Sequence, residues 1–254
     1  TPAGRKWGEG MDGYRIAASL GHTIRGPWPA LVQLRCAGDC WKGLAGVRCI
    51  AKITLCVGGK GGETWQEKGE LLLTDYGLSG IPVFQVSRFA SCALAKGRPV
   101  RAFVDFLPDF EAGGEEWEAF CERRFDSYAG RRAEVFFAGL GNKKLLQTVM
   151  KQNGLKPQDE IGRKNSRQAQ RALDSLRHWE AEVVGTNPFS NAQVCAGGIP
   201  LEEVNNDLES LRAQGLYLAG ELLDVDGKCG GYNLQWAWTS GAIAGRQAAR
   251  AYKN

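Results

Sequence analysis

The chain has 254 residues, a length at which one large domain and two modest ones are both expected. Its 32 basic and 28 acidic residues leave a net charge of +4, interspersed along the chain, which excludes the electrostatic footprint of a dedicated nucleic-acid binder. With 43% hydrophobic and 24% charged residues, and no run near the roughly 18 apolar residues of a membrane helix, a water-soluble globular protein with no membrane partner is expected.

The N-terminus, Thr1-Pro2-Ala3-Gly4-Arg5-Lys6, carries no apolar stretch of the secretory kind, so a cytoplasmic location is expected. Cysteines stand at 36, 40, 49, 56, 92, 121, 195 and 229. The close pair Cys36 and Cys40 has no second pair at zinc-ribbon spacing, and His22 and His178 are the only histidines, so no metal site is expected. Reduced, mostly buried thiols fit a cytosolic chain.

The first segment, residues 7–14, reads as a glycine-rich loop followed by a short helix over 15–21 that Gly21 stops. A domain opening on a glycine loop and a two-turn helix leaves both without a sheet, so a preceding region is expected. Pro27-Trp28-Pro29 marks a break. Runs at 31–36, 47–57, 71–74 and 100–106 are alternating or β-branched, separated by glycine turns such as Gly58-Gly59-Lys60-Gly61-Gly62, and predict a small antiparallel β unit. From Leu107 the period changes, and helices are predicted over 115–128, from 132, over 142–152 and over 166–179. Their basic residues Lys143, Lys144, Arg163, Lys164, Arg167 and Arg171 read as solvated faces, with an RNA-binding face as the alternative.

A second break falls at Gly185-Thr186-Asn187-Pro188. Short buried strands ending in glycine are predicted at 193–198 and 216–220, and a last helix over 232–252 carries Ala237, Gly241, Ala244, Gly245 and Ala248 along one side, small enough for close approach to a sheet or ligand.

The segment 215–245 orders a buried strand, the carboxylate Glu221 at its end, a loop, and the diglycine Gly230-Gly231 opening the last helix. Open α/β sheets bind ligands at the carboxyl ends of their strands, where Glu221 can accept hydrogen bonds from sugar-alcohol hydroxyls. Gly230 and Gly231 let backbone approach a ring, and free N–H groups at Tyr232 and Asn233 place partial positive charge there. Such a helix end suits the N1/O2 edge of a flavin, which gains negative charge on reduction.

At these residues the chain resembles the BaiN-type bacterial flavoproteins, also labelled NAD(FAD)-utilising dehydrogenases. The marks are Gly220-Glu221 with Asp224 and Asp226-Gly227, Gly230-Gly231-Tyr232-Asn233-Leu234-Gln235, Asp12-Gly13-Tyr14 with Gly21-His22-Thr23, the run Pro29 to Leu34, Gly69 to Thr74 with Gly77-Leu78-Ser79-Gly80, and Ala196-Gly197-Gly198. The resemblance implies a Rossmann-like α/β FAD-binding domain interrupted by an antiparallel β unit with a helical cap, α+β as the chain stands. Residues 1–26 and 187–254 then belong to the FAD-binding domain and 27–186 to the insert, with the β unit at 27–107 and the cap at 108–178. It implies FAD against Gly220, Glu221, Asp224, Gly230, Gly231, Tyr232, Asn233 and Leu234, with Asp224 and Asp226 holding the loop between. It also implies NAD(P)H as electron donor and an unsaturated small molecule as substrate. The family's strand and G-x-G-x-x-G unit for the pyrophosphate has no counterpart here, and residues 4–10 depart from the family's flavin-facing pattern. No catalytic acid or base is assigned, and a structural role is expected for both histidines. The alternative is a non-catalytic fragment or binding module that acts without flavin.

Overall fold

The computed structural model of the chain describes residues 1–4, 10–59, 61–110 and 114–252. Part of the glycine loop read at 7–14, and of the departing segment 4–10, falls on residues 5–9, outside the described residues.

In chain order, helix α1 (Asp12–Ser19) leads into strands β1 (Arg25–Ala30) and β2 (Leu34–Cys36) and the short helix α2 (Trp41–Leu44). Strands β3 (Arg48–Val57), β4 (Glu63–Thr74) and β5 (Gly77–Gly80) follow, then helix α3 (Ile81–Ala95) and strand β6 (Val100–Asp105). Helices α4 (Glu115–Tyr128), α5 (Ala133–Phe136), α6 (Lys143–Gln152) and α7 (Ser166–Arg177) precede strands β7 (Trp179–Thr186) and β8 (Val194–Gly198) and the long helix α8 (Tyr232–Ala251).

The chain divides into two compact units, residues 1–33, 84–98 and 185–254 in the first and 34–83 and 99–184 in the second. The expected breaks lay at 26/27 and 186/187. The first unit keeps residues 27–33 because β1 pairs antiparallel with β8, Trp28 opposite Ala196 and Ala30 opposite Val194. It also takes back residues 84–98, most of α3.

In the second unit the strands close a barrel in the order β2-β5-β4-β3-β6-β7, where the sequence predicts a small antiparallel β unit from four runs. Strand β3 pairs with β4 from Arg48 opposite Leu72 to Val57 opposite Glu63, and its Ala51, Ile53, Leu55 and Val57 alternate into the interior. Closure uses β7, whose Trp179 falls at the end of the helix predicted over 166–179 and whose residues 180–184 carry no predicted element. Helix α7 ends at Arg177, and Trp179, Ala181 and Val183 point inward between outward Glu180, Glu182 and Val184. The Ala37 N–H donates to the Glu182 carbonyl at 2.9 Å across the β2 side. Helices α4 to α7 bury Phe136, Phe137, Leu145, Val149 and Leu173, and Asn142 caps α6 by accepting the Lys144 N–H at 2.9 Å.

The first unit packs Ala17 of α1, Ile199, Leu208, Leu218, Leu223 and Ala244 of α8 into one cluster. The expected strand at 216–220 does not form. Tyr217 makes a single bridge to Glu209, and residues Gly220–Leu222 turn as a 3-10 helix. The prolines read as a break lie inside β1, at alternate positions of an edge strand, where their missing N–H groups face away from the partner. The small residues of α8 serve close approach in part, Ala237 lying beside Gly220. Ser240 and Ala244 are the buried ones, and a Cβ at Gly241 or Gly245 would meet nothing within 4 Å. Gly198 does serve it: at φ +137°, its Cβ would stand 2.6 Å from the Leu222 carbonyl oxygen.

No described helix is long and apolar enough to cross a membrane. All eight cysteines are free thiols, three buried and five half-buried.

Candidate functional site

The site is built on the turn at Gly220, in the left-handed region at φ +64°. Helix α8 grips this residue twice: the buried Ser240 Oγ accepts the Gly220 N–H at 2.9 Å, and Trp236 Nε1 donates to the Gly220 carbonyl at 3.1 Å. The next residue, Glu221, receives the Tyr14 hydroxyl on its carbonyl at 2.9 Å, and its Oε1 accepts the Cys195 N–H of β8 at 2.9 Å. Burial pushes the Tyr14 hydroxyl well above the usual phenol range, and burial beside Glu221 pushes the Cys195 thiol up to about 12. Both stay neutral. Glu221 therefore stands on a 3-10 turn braced against β8, not at the end of a strand.

From Asp224 the chain loops to the start of α8. The Asp224 N–H donates to the Ile199 carbonyl at 2.8 Å, and its carboxylate shares Arg25 with Glu202. Asp226 is buried, its side chain 3% exposed, with Arg88 Nη1 at 3.1 Å from Oδ1. That contact supplies charge but not hydrogen-bonding direction, so Oδ1 has no hydrogen-bond donor. Burial pushes the Asp226 carboxyl up to about 6; Arg88 pulls it down, and Asp224 and Glu221 add to the rise. Asn233 reaches back to Gly227, accepting its N–H at 2.8 Å and donating to its carbonyl at 3.0 Å. Gln85 Oε1 accepts the Cys229 N–H at 3.3 Å.

The loop and helix start border a cavity of about 380 Å³, lined also by Leu31, Val194, Val225 and Trp236. Helix α8 opens at Gly231, φ +92°, with no side-chain cap. The first of its N–H groups to find a backbone acceptor is that of Gln235, on the Gly231 carbonyl at 3.0 Å; among the described residues nothing accepts from Tyr232, Asn233 or Leu234. Leu31 adds backbone strain at the same cavity, a non-glycine residue at φ +49°.

Of the eight residues singled out from sequence, Glu221, Gly230, Gly231, Asn233 and Leu234 line the cavity, while Gly220, Asp224 and Tyr232 stand behind or beside it. The lining residues not singled out from sequence are Leu31, Gln193, Val194, Val225, Lys228, Cys229, Trp236 and Ala237. Gln193 and Val194 lie in the buried strand predicted at 193–198, Leu31 in the run Pro29 to Leu34 that marks the resemblance, and Ala237 among the small residues of the last helix; Val225, Lys228, Cys229 and Trp236 carry no pattern of their own.

A larger groove of about 660 Å³ lies in the second unit, between α4 and α7. Glu118, Glu122, Asp126 and Asp174 line it, and four carboxylates repel a phosphate-bearing ligand. His22 lies in neither. Its Nδ1 is 2.8 Å from Glu203 Oε2 and its Nε2 2.7 Å from Ser210 Oγ, all three residues buried. Ser210 Oγ already accepts the Arg212 and Ala213 N–H groups, so its own proton goes to Nε2 and the His22 Nδ1–H points at Glu203. This buried Ser-His-Glu chain ties α1's following turn to residues 203 and 210 and staples the fold. His178 is the exposed C-cap of α7. Among the described residues no group of three or more His, Cys, Asp and Glu could hold a metal ion.

The chain holds a mixed helix and strand unit, interrupted twice in sequence by the segments of a barrel, with an uncapped helix start against a glycine-marked cavity. It belongs to the HI0933-like Rossmann domain family, whose pattern matches residues 3–247. The chain is 40% identical, over 97% of its length and 60% of the relative's, to the 3-dehydro-bile acid delta(4,6)-reductase of Clostridium scindens. It is 30% identical to the ribosomal RNA dihydrouridine synthase of Haemophilus influenzae, over 90% of its length and 53% of that protein. With the ribosomal RNA dihydrouridine synthase of Escherichia coli the identity is 29%, over 90% of this chain and 54% of the relative. The chain thus spans between 53% and 60% of the length of these relatives. The family resemblance carried by the glycine and acidic motifs holds.

Proposed function

We propose that this chain forms the flavin-facing part of an FAD-dependent oxidoreductase that draws electrons from NADH or NADPH and reduces an unsaturated small molecule. The observation that carries the reading is the uncapped start of α8. A helix that leaves its cap empty and its first N–H groups facing a cavity is prepared for an acceptor that bears negative charge.

The residues present fit a flavin ring. A cavity of about 380 Å³ lies within the range of small-molecule sites. Gly231, at φ +92°, holds a backbone conformation that side chains rarely adopt, and among the described residues nothing stands within 4 Å of where its Cβ would lie. The N–H groups of Tyr232, Asn233 and Leu234 would hold the pyrimidine edge of the ring, each charge-assisted bond contributing roughly 1.5–3 kcal/mol. Bound there, FAD would supply hydride transfer between the nicotinamide and the unsaturated bond. The chain's own part is to bind, orient and exclude water: Leu31, Val194 and Trp236 give apolar walls, and Glu221, fixed on Cys195 through one oxygen, offers the other to a hydroxyl. The names of the relatives, a delta(4,6)-reductase and two dihydrouridine synthases, support a reductive role.

The test is an absorbance spectrum of the purified chain before and after incubation with excess FAD and removal of free ligand. Retained flavin bands are expected, followed by their bleaching with NADH or NADPH. A colourless protein that takes up no FAD overturns the proposal for this chain.

A second reading, a flavin-independent binding module for RNA, draws on one observation. Arg163, Lys164, Arg167 and Arg171 are exposed and, among the described residues, form no ion pair. RNA binding by these residues would weaken steeply with salt, and reversing their charges would abolish it; an affinity indifferent to both sinks this reading.

A further inference from the structure

We infer that Asn233 is a positioning residue of the cavity, one that clamps the loop 224–231 through the backbone of Gly227 so that the start of α8 can stay uncapped. For its ligand the inference rests on the flavin reading; the clamp itself stands on the geometry.

A helix is ordinarily started by Ser, Thr, Asp or Asn at the N-cap, whose side chain accepts one of the first N–H groups. Here that position is Gly231, which has nothing to accept with. The first side chain able to cap is Asn233, two residues on, and it turns away from its own helix. Its carboxamide meets both backbone groups of Gly227, Oδ1 taking the N–H at 2.8 Å and Nδ2 giving to the carbonyl at 3.0 Å. An amide is the side chain suited to both groups at once, since it offers a donor and an acceptor on adjacent atoms. Gly227 is the residue such a clamp needs, because a Cβ there would stand 3.0 Å from the Tyr232 Cβ.

The consequence falls on the cavity. Lys228, Cys229, Gly230 and Gly231 line it and lie between Gly227 and the helix. Holding Gly227 against Asn233 closes that stretch into one piece with α8. The loop's start is held by the Asp224 N–H on the Ile199 carbonyl at 2.8 Å, and α3 supplies two further hydrogen bonds: Gln85 accepts the Cys229 N–H at 3.3 Å, and Arg88 donates to the Asp226 carbonyl at 3.3 Å. The two from α3 are longer than the two Asn233 bonds. At Gly227, next to the cavity-lining stretch, the clamp thus supplies the short hydrogen bonds while leaving the N–H groups of Tyr232, Asn233 and Leu234 free for a ligand.

Replacing Asn233 by Asp separates positioning from stability. Asp at the first turn of a helix is favourable for the helix itself. It faces the Gly227 carbonyl with a second acceptor, whose repulsion pushes Gly227 away and loosens the bond to its N–H as well, and it brings negative charge to the place a reduced flavin would charge. The experiment compares the full chain with Asn233→Asp and Asn233→Ala by thermal melting, by hydrogen exchange at the Gly227 amide without ligand, and by FAD titration followed in the visible spectrum. Expected are a melting temperature for Asn233→Asp no lower than that of the parent, faster exchange at Gly227 in both variants, and FAD binding weakened about tenfold to a hundredfold, the worth of two hydrogen bonds. Loss of fine structure in the bound flavin's visible band is expected with it. Should Asn233→Ala fail to fold, the Asp variant carries the test. Parent-like Gly227 exchange in both variants overturns the clamp, and parent-like FAD affinity and spectrum overturn its role at the cavity. If the parent takes up no FAD, the functional reading fails and the Gly227 exchange rates alone decide the clamp.

Discussion

Asp226 keeps its carboxyl in a buried position where a proton is easier to hold than a charge, and that has a sign in pH. Its acid is raised in the fold to about 6 from an ordinary 3.8, so the folded state binds more protons between those values. Its contribution is fully present below about 4 and is lost as pH rises through 6. Asp226→Asn, neutral at every pH, is expected to raise stability by about 1–2 kcal/mol at pH 8 and to change little at pH 4, measured by urea unfolding at both. Equal effects at the two pH values would mean that the carboxyl is charged throughout. Glu203 runs the other way. Burial alone would raise it, but the Thr23 hydroxyl and N–H, His22 and Arg212 hold it down to about 2. Its contribution is present above 4.5 and fades as pH falls toward 2. Removing Ser210 Oγ, which takes two N–H groups and gives its proton to His22, strands the buried His22 ring nitrogen and two half-buried N–H groups at once. Ser210→Ala is expected to cost roughly 3 kcal/mol, and a loss under about 1 kcal/mol in denaturant melts would show that water replaces the hydroxyl there.

Elements whose pattern repeats were legible, and those decided by tertiary burial were not. Helix α4 was readable from three- and four-residue apolar spacing, and α6 from the cap Asn142 at its entrance; Asn142→Ala should cost about 1 kcal/mol, a melting shift that a second substitution at exposed Gln147 should not reproduce. Strand β7 carried a clean alternation, Trp179 and Ala181 against Glu180 and Glu182, yet the helix before it runs so close that the change of period was hidden. Helix α3 was unreadable for a physical reason. It opens Ile81-Pro82-Val83-Phe84, β-branched and proline-bearing like a strand edge, and becomes a helix because proline suits the first turn and Val83, Val86 and Ala90 are buried there. The reading at 216–220 erred in the opposite sense: an apolar run ending in glycine looks like a strand, but its Leu218 joins a side-chain cluster while its backbone finds only a single bridge. At the cavity, glycines and Asn233 announced themselves through motif order. Cys229 and Trp236 arrive there only through the path of the backbone. Inside the barrel, where Leu55 is fully buried, Leu55→Ala is expected to cost 2–5 kcal/mol by the lost transfer energy and the void left behind.

At the scale of the whole chain the two units should answer FAD differently. Every lining residue of the cavity belongs to the first unit. Saturating FAD is therefore expected to slow amide exchange in segments 193–195 and 220–237 and to leave β3, β4 and β6 unchanged, as measured by peptide-level hydrogen exchange. Protection of the barrel strands without protection of 220–237 would move the site elsewhere.

The discontinuity of the first unit also orders events during synthesis. Tyr14 waits for Glu221, 207 residues later, and His22 for Glu203, 181 residues later, whereas β3 and β4 meet across a short turn. As the chain leaves the ribosome, the barrel strands have their partners once residue 184 is out, while α1 and β1 must stay unsatisfied until residues 185–254 arrive. The half that shapes the cavity is thus the last to close, and a nascent chain stalled before β8 presents Tyr14, Ala17 and Ala30, all buried in the finished fold, to whatever binds exposed apolar surface.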